Sequence, residues 1–431
     1  MKTKLAAALS ALCLLSGCAL SADTEALLRA PQLSGESRAL QKALNSYLNT
    51  AVTLKYPDSG DFLSPFAFGD WDGDGDDEAA VLYTADSAGT NVWLAVLEAD
   101  VDGDGWRVSQ TVEGLSGEVE VFSAAHLRDT VSQQLIAGYT SAQGDSYLVV
   151  YRYADGSLNT VISQSYTNMI LADFTGKGDT QDLVLALPAE RDFGGVALQL
   201  LTNVDGEFRS AQTLNLGEGI YTGCAALQAG RGIDEHTYLV MDAYSDGGSL
   251  VSDIITYDEE TGFLQSYHPP GVSSVFAGTR RYDTTLLSCD IDQNGTVDIP
   301  VEAEDGGVIV SPLDKRLRFV VWQDYAGENG GKSTFGVYDA SNRIFYGLPP
   351  ALRKNVMLRP LANGNGWQVC SQQGTVTYCE LRMVEATAAD NEQYTRIANV
   401  GSQQLQVRVL TTYAGLTVEY IQKHTVLLGA E

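Results

Sequence analysis

The chain has 431 residues, with 27 Lys and Arg against 55 Asp and Glu, for a formal net charge of −28. That acidity excludes electrostatic nucleic-acid binding as a default role. With 44% hydrophobic residues and its longest apolar run at the start, the chain is neither disordered nor polytopic. Gly (43) and Tyr (21) are abundant, as are Val, Thr and Ser, and the length permits two or three cores. Many short strands joined by turns follow: a mainly β fold.

Lys2 and Lys4 precede Leu5–Leu15, an apolar run broken only by Ser10 and Cys13. At about 11 residues it is too short to span a bilayer unaided and suits a secretory signal. It ends Leu15-Ser16-Gly17-Cys18, which resembles the lipobox of bacterial lipoproteins. The resemblance implies cleavage before a lipid-modified Cys18, and hence an extracytoplasmic chain attached to a membrane through that anchor only. Residues 19–58 then form a leader and one amphipathic helix over 37–50, with Leu40, Ala43, Leu44 and Leu48 on one face.

Beyond the helix a pattern returns. Asp70-Trp-Asp-Gly-Asp-Gly-Asp-Asp-Glu78 runs into Ala79–Tyr83, Asp173–Asp182 into Leu183–Leu187, and Asp290–Asp298 into Ile299–Val301. The starts lie 103 and 117 residues apart, about twice the length of a four-stranded blade. Each gap therefore hides one degenerate copy, at 124–130 before Gln134–Tyr139 and at 225–230 before Tyr238–Met241. Hairpin turns recur in phase at Asp102–Gly105, Ala154–Gly156, Val204–Gly206 and Glu260–Gly262. Five units of several strands each predict a β-propeller-like array over 59–330. Residues 331–431 break the repeat and are expected to form a small α+β or β-rich module, with strands at 366–371, 375–384, 405–410 and 416–421.

These turns resemble FG-GAP/VCBS repeats, the calcium-binding blades of integrin alpha-chain propellers and many bacterial surface proteins. Asp290–Asp298 fits the repeat's acidic loop position by position, and Asp70–Glu78 fits with Glu in last place. The copy at Asp173 departs from it, with Lys177 in the loop and one extra residue. The chemistry of the loops agrees. Oxygen side chains at positions 1, 3 and 5, Gly at 6, a carbonyl at 7 and a carboxylate at 9 surround one point. The first cage would use Asp70, Asp72, Asp74 and Glu78 with the carbonyl of Asp76. The second would use Asp290, Asp292, Asn294 and Asp298 with the carbonyl of Thr296. An all-oxygen set favours a hard cation, Ca2+, in a structural role. Four carboxylates about 5 Å apart repel by roughly 3 kcal/mol per pair at an effective dielectric near 20, which a dication relieves. Lys177 instead suggests an ammonium replacing the ion and pairing with Asp173, Asp179 or Asp182.

Other chemistry is sparse. The four histidines, His126, His236, His268 and His424, show no paired-ligand spacing, and no GxSxG or phosphate loop occurs. The tryptophans suit a core or a carbohydrate platform. Cys370 and Cys379 flank a turn and could face each other as a disulfide or stand as separate buried thiols. The expected function is a lipid-anchored, calcium-binding binding or scaffold protein of the bacterial cell envelope, not an enzyme, with a protein or glycan partner and no nucleic acid. The alternative is an envelope polysaccharide lyase or hydrolase with an acidic cleft.

Overall fold

The runs that follow the acidic turns are apolar without alternation, which requires burial on both faces. Glu78–Thr84 and Asp182–Leu187 are buried along nearly their whole length. The computed structural model describes residues 35–429 except 86–88, 101–104, 179, 189–193, 233–235, 269–274, 326–331, 363, 365 and 388–392. Cys18, Asp179 and the tip of the turn at 102–104 lie outside the described residues.

Six antiparallel-dominated sheets follow one another along the chain as a propeller-like array. The first joins Thr53–Leu54, Glu78–Thr84, Trp93–Ala99 and Trp106–Glu113, with Phe66–Gly69 also on Glu78–Thr84. The second (Glu118–Ala125 to Ser157–Tyr166), third (Asn168–Ala172 to Glu207–Leu216) and fourth (Tyr221–Arg231 to Phe263–Ser266) are four-stranded meanders in chain order. Their outer hairpins turn where the sequence places them: Asp155 and Gly156 have φ of 52° and 69°, Asp205 and Gly206 of 56° and 82°. Left-handed backbone at both central residues is what a tight hairpin requires.

Neighbouring sheets bury their faces against each other in turn. Leu94 and Val96 meet Tyr139 and Tyr151 between the first and second, and Leu148 and Val150 meet Leu183 and Leu185 between the second and third. Val184 and Leu198 meet Leu239 and Met241, and Tyr238 and Val240 meet Val297 and Ile299. The far face of the first sheet, with Val81, Tyr83 and Leu97, is covered by Leu40 and Leu44 of the helix Gly35–Leu48. Among the described residues no hydrophobic cluster joins the first sheet to the sixth. Trp71, Trp322 and Trp367 are all buried, so they serve as packing and not as a carbohydrate platform.

The C-terminal region corrects three expectations. Ser333–Asp339 and Ile344–Gly347 are strands of the fifth sheet, paired with Leu317–Asp324, so the repeat runs past residue 330. Thr425–Leu427 closes that sheet's edge, and the sixth sheet (Val308–Ile309, Val356–Pro360, Gly366–Ser371, Thr377–Glu385, Gln403–Val409, Thr395–Val400) packs on its other face. Residues expected as a strand at 416–421 contribute to a helix, Val418–Lys423, because the Thr417 side chain caps it by accepting from the Tyr420 N–H. Cys370 and Cys379 are free thiols. Val369 pairs with Cys379 and Cys370 with Thr377, so the two thiols occupy opposite faces of the sheet and cannot bond.

The connection between the fourth and fifth sheets is held by a buried ion pair. Arg281 and Asp242 are 0% and 1% exposed and meet at 2.8 Å. Asp242 also accepts from the Ser252 and Ser288 hydroxyls and the Ser288 N–H, while Arg281 donates to the Leu286 and Thr279 carbonyls. Removing one member leaves a buried, uncompensated charge. Arg281→Met should therefore cost about 3–5 kcal/mol in urea unfolding, and adding Asp242→Leu should recover part of it. A single substitution with no loss would contradict this role.

Candidate metal centre

The turns before Glu78–Thr84, Asp182–Leu187 and Asp298–Glu302 share one backbone path. In each, the first Asp caps the turn: Asp70 accepts from Asp74 N (3.1 Å) and Gly75 N (3.0 Å), Asp173 from Lys177 N (3.1 Å) and Gly178 N (2.9 Å), and Asp290 from Asn294 N (2.9 Å) and Gly295 N (2.7 Å). Positions 4 and 6 are left-handed throughout, as Gly73 and Gly75 (φ 85° and 96°), Gly176 and Gly178 (69° and 71°), and Gln293 and Gly295 (58° and 90°). Gly at position 6 makes this bend inexpensive, whereas Gln293 carries a side chain in a region such residues seldom adopt.

Position 2 holds a buried apolar side chain, Trp71, Phe174 or Ile291. Its N–H donates to the carboxylate that begins the next strand: Trp71 N to Glu78 (2.9 Å), Phe174 N to Asp182 (2.8 Å), Ile291 N to Asp298 (3.2 Å). The second sheet repeats the device with a neutral amide. Gln134 Oε1 accepts from Leu127 N and Arg128 N, and Leu127 is fully buried.

What differs between turns is how the buried carboxylate is satisfied. Asp182 receives two N–H groups and two hydroxyls, from Phe174, Thr175 and Thr202. Lys177 does not pair with Asp173 or Asp182 as expected; its Nζ reaches outward to the Asn203 carbonyl at 2.7 Å. Burial still raises the Asp182 carboxyl, but its four donors satisfy it without a counter-ion. Glu78 and Asp298, 4% and 3% exposed, have one side-chain hydrogen bond each.

Around those two carboxylates the other acids gather. One oxygen from each of Asp70, Asp72 and Glu78 lies within 4.8 Å of the others, and the same holds for Asp290, Asp292 and Asp298. Six of the side chains expected as ligands thus converge in two sets of three. Asp74 stands outside the first set and accepts from the Asp76 N–H (2.9 Å); Asn294 likewise accepts from the Thr296 N–H (2.7 Å). Burial, followed by the neighbouring Asp72, Asp74 and Asp70, pushes Glu78 up to about 7; burial and then Asp292, Asp324 and Asp290 push Asp298 up to about 7. Two under-satisfied buried carboxylates, each facing further acids through oxygen only, fit a hard divalent cation. The residues can hold an ion and, through it, tie each turn to its strand.

Three histidines have local partners: His126 Nδ1 with the Ser132 carbonyl, His236 with Glu259 and His424 Nδ1 with the Tyr420 carbonyl. The recurring buried acceptor was missed in sequence because Gln134 lacks the charge that marks Glu78 and Asp298. Its signal was present as an apolar residue seven positions before it, at Leu127.

No family model matches the chain, and no curated relative matches it. Among solved structures, yeast (Saccharomyces cerevisiae) Sqt1 is 11% identical with a TM-score of 0.33, over 84% of this chain and 98% of that one. The periplasmic gluconolactonase PpgL of Pseudomonas aeruginosa is 13% identical (TM-score 0.27, 59% and 80%). The rhamnogalacturonan lyase PL11 of Bacillus licheniformis is 13% identical (TM-score 0.23, 56% and 59%). Likenesses this low carry no function to the chain.

A carboxyl raised in the folded state stabilises below its unfolded value, near 4, and that contribution is lost as pH rises through about 7. Metal-free protein should therefore lose stability from pH 5 to pH 8, while bound ion replaces the proton. Calorimetry in calcium and in chelator should show the gap between melting temperatures widening with pH; parallel curves would contradict the assignment.

Proposed function

We propose that this chain is a lipid-anchored, extracytoplasmic binding scaffold of the bacterial cell envelope, with FG-GAP/VCBS-type blades clamped by two structural calcium ions. The observation that carries the reading is the pair of convergent carboxylate sets at Asp70, Asp72, Glu78 and Asp290, Asp292, Asp298, each centred on a buried acid with a single protein donor. Calcium accepts such mixed carboxylate and carbonyl shells with loose geometry, and the carbonyls of Asp76 and Thr296 lie within the same turns. The ion would supply neutralisation and cross-linking of turn to strand. The anchor rests on Leu15-Ser16-Gly17-Cys18 and the apolar run before it.

A structural role follows from position. Each cage sits where the chain enters a largely buried strand, Glu78–Thr84 or Asp298–Glu302, so ion binding contributes to folding free energy. The first and fifth sheets would be stiffened and the array would present its loops and edges to an envelope protein or glycan.

Titration calorimetry on chelator-treated protein should count two calcium ions per chain. Asp290→Ala with Asp292→Ala should leave one, and Lys177→Ala should add none. Calcium at about 100 times its Kd should add about 2.7 kcal/mol of stability per site. A melting temperature unmoved by calcium, or a third ion gained by Lys177→Ala, would overturn the reading.

A further inference from the structure

Charge is distributed unevenly along this chain. Residues 1–330 carry 18 basic against 48 acidic side chains, a net −30, whereas residues 331–431 carry nine against seven, a net +2. Part of that basic surplus falls on one face of the sixth sheet. Its register aligns Arg359, Gln368, Glu380 and Arg408 in one row across four strands, and Arg382, Gln406 and Arg396 in the next. The alternate residues, among them Leu358, Trp367, Leu381 and Leu405, point the other way into the core shared with the fifth sheet.

Elsewhere four arginines pair with acids, Arg281 with Asp242, Arg316 with Asp339, Arg353 with Asp305 and Arg107 with Glu98, while Arg128, Arg280 and Arg318 bond to carbonyls or a hydroxyl. On this face neutral groups hold Arg359 and Arg382. Arg382 Nε and Nη2 both donate to Gln406 Oε1, at 2.9 and 2.7 Å, and its guanidinium lies 3.7 Å from the centre of the Tyr394 ring. Arg359 reaches Gln368 Oε1 (3.4 Å), Thr377 Oγ1 (3.3 Å) and the Gly374 carbonyl (3.3 Å). Arg396 is exposed. Glu380 is the one carboxylate in the two rows among the described residues; it accepts from the Tyr394 hydroxyl (2.5 Å) and lies 3.8 Å from Arg408.

Guanidinium groups oriented by amides and an aromatic ring keep their full charge, and the N–H groups not spent on those partners can reach an incoming carboxylate. We propose that this outer face of the sixth sheet docks an acidic polysaccharide, its carboxylates on the arginines and its hydroxyls on Gln368 and Thr377. The inference deepens the binding-scaffold reading above and rests on it. A protein partner would need an apolar centre to its interface, and here the apolar side chains of the same strands are turned inward. Strands spaced about 4.8 Å apart put Arg359 and Arg408 about 14 Å apart, the reach of an oligosaccharide and not of a single sugar. The strongly acidic remainder of the molecule repels a polyanion and leaves this sheet as its landing surface.

The test uses the calcium-loaded full chain, desalted of free calcium, with an oligogalacturonate as probe and its methyl-esterified form as control. Calorimetry should show binding of the acid, none of the ester, and weakening with added salt. Arg359→Gln with Arg382→Gln should reduce affinity about tenfold or more, with calcium stoichiometry unchanged. Arg353→Gln with Lys354→Gln, outside the two rows, should leave it intact. Should the double variant fail to fold, the exposed Arg396→Glu must still weaken binding. Equal affinity in the face variants, equal binding of the ester, or preference for poly-glutamate, an oligonucleotide or a second copy of the chain would overturn the proposal. Failure of glycan binding beside two intact calcium sites would sink this surface alone and leave the clamp standing.

Discussion

Burying a polar acceptor at the head of a strand is the constraint on which the array turns. Glu78–Thr84, Gln134–Thr140, Asp182–Leu187 and Asp298–Glu302 are buried over most of their length, so the chain must enter each through a turn whose amides find partners without water. The solution is an acceptor at the strand's first residue, receiving the N–H of a buried apolar residue in the turn. Trp71 and Glu78, Leu127 and Gln134, Phe174 and Asp182, and Ile291 and Asp298 carry it. The apolar member anchors the turn in the core and the polar member closes it.

Once the acceptor is buried, its charge has to be dealt with, and the sheets do so differently. Gln134 carries none. Asp182 is filled by N–H and hydroxyl donors. Glu78 and Asp298 gather further carboxylates and so require a proton or a cation. One backbone device thus yields a neutral turn, a self-satisfied turn and two turns whose acids can hold a cation, set by the groups that face the buried acceptor. The same economy separates the rest of the molecule: acids collect along the first five sheets, while on the sixth amides and an aromatic ring hold Arg359 and Arg382.

Much of this was legible in the sequence. The acidic turns, the unalternating strands after them and the phased hairpin turns announced five repeated β units, and the helix with Leu40 and Leu44 was placed by its period. Six of the side chains expected as ligands converge in two sets of three. What could not be read depended on long-range pairing. The hairpin at 333–347 carries no acidic turn, so only its register with Leu317–Asp324 assigns it to the fifth sheet. The segment at 416–421 has an apolar pattern too short to separate strand from helix, and the Thr417 cap decides it. Cys370 and Cys379 seemed to face each other across a turn until a shift in register between Val369 and Cys370 set their pairing. The ammonium of Lys177, expected to replace the ion beside Asp173 and Asp182, sits on a stem long enough to leave the turn and finds a carbonyl at the surface instead.

The most direct measurement is diffraction from calcium-soaked crystals of the intact chain. The account predicts a density peak at 2.3–2.6 Å from carboxylate oxygens of Asp70, Asp72 and Glu78, a second among Asp290, Asp292 and Asp298, and none at Asp173. Water alone at the first two turns, with Glu78 and Asp298 protonated in saturating calcium, would contradict it.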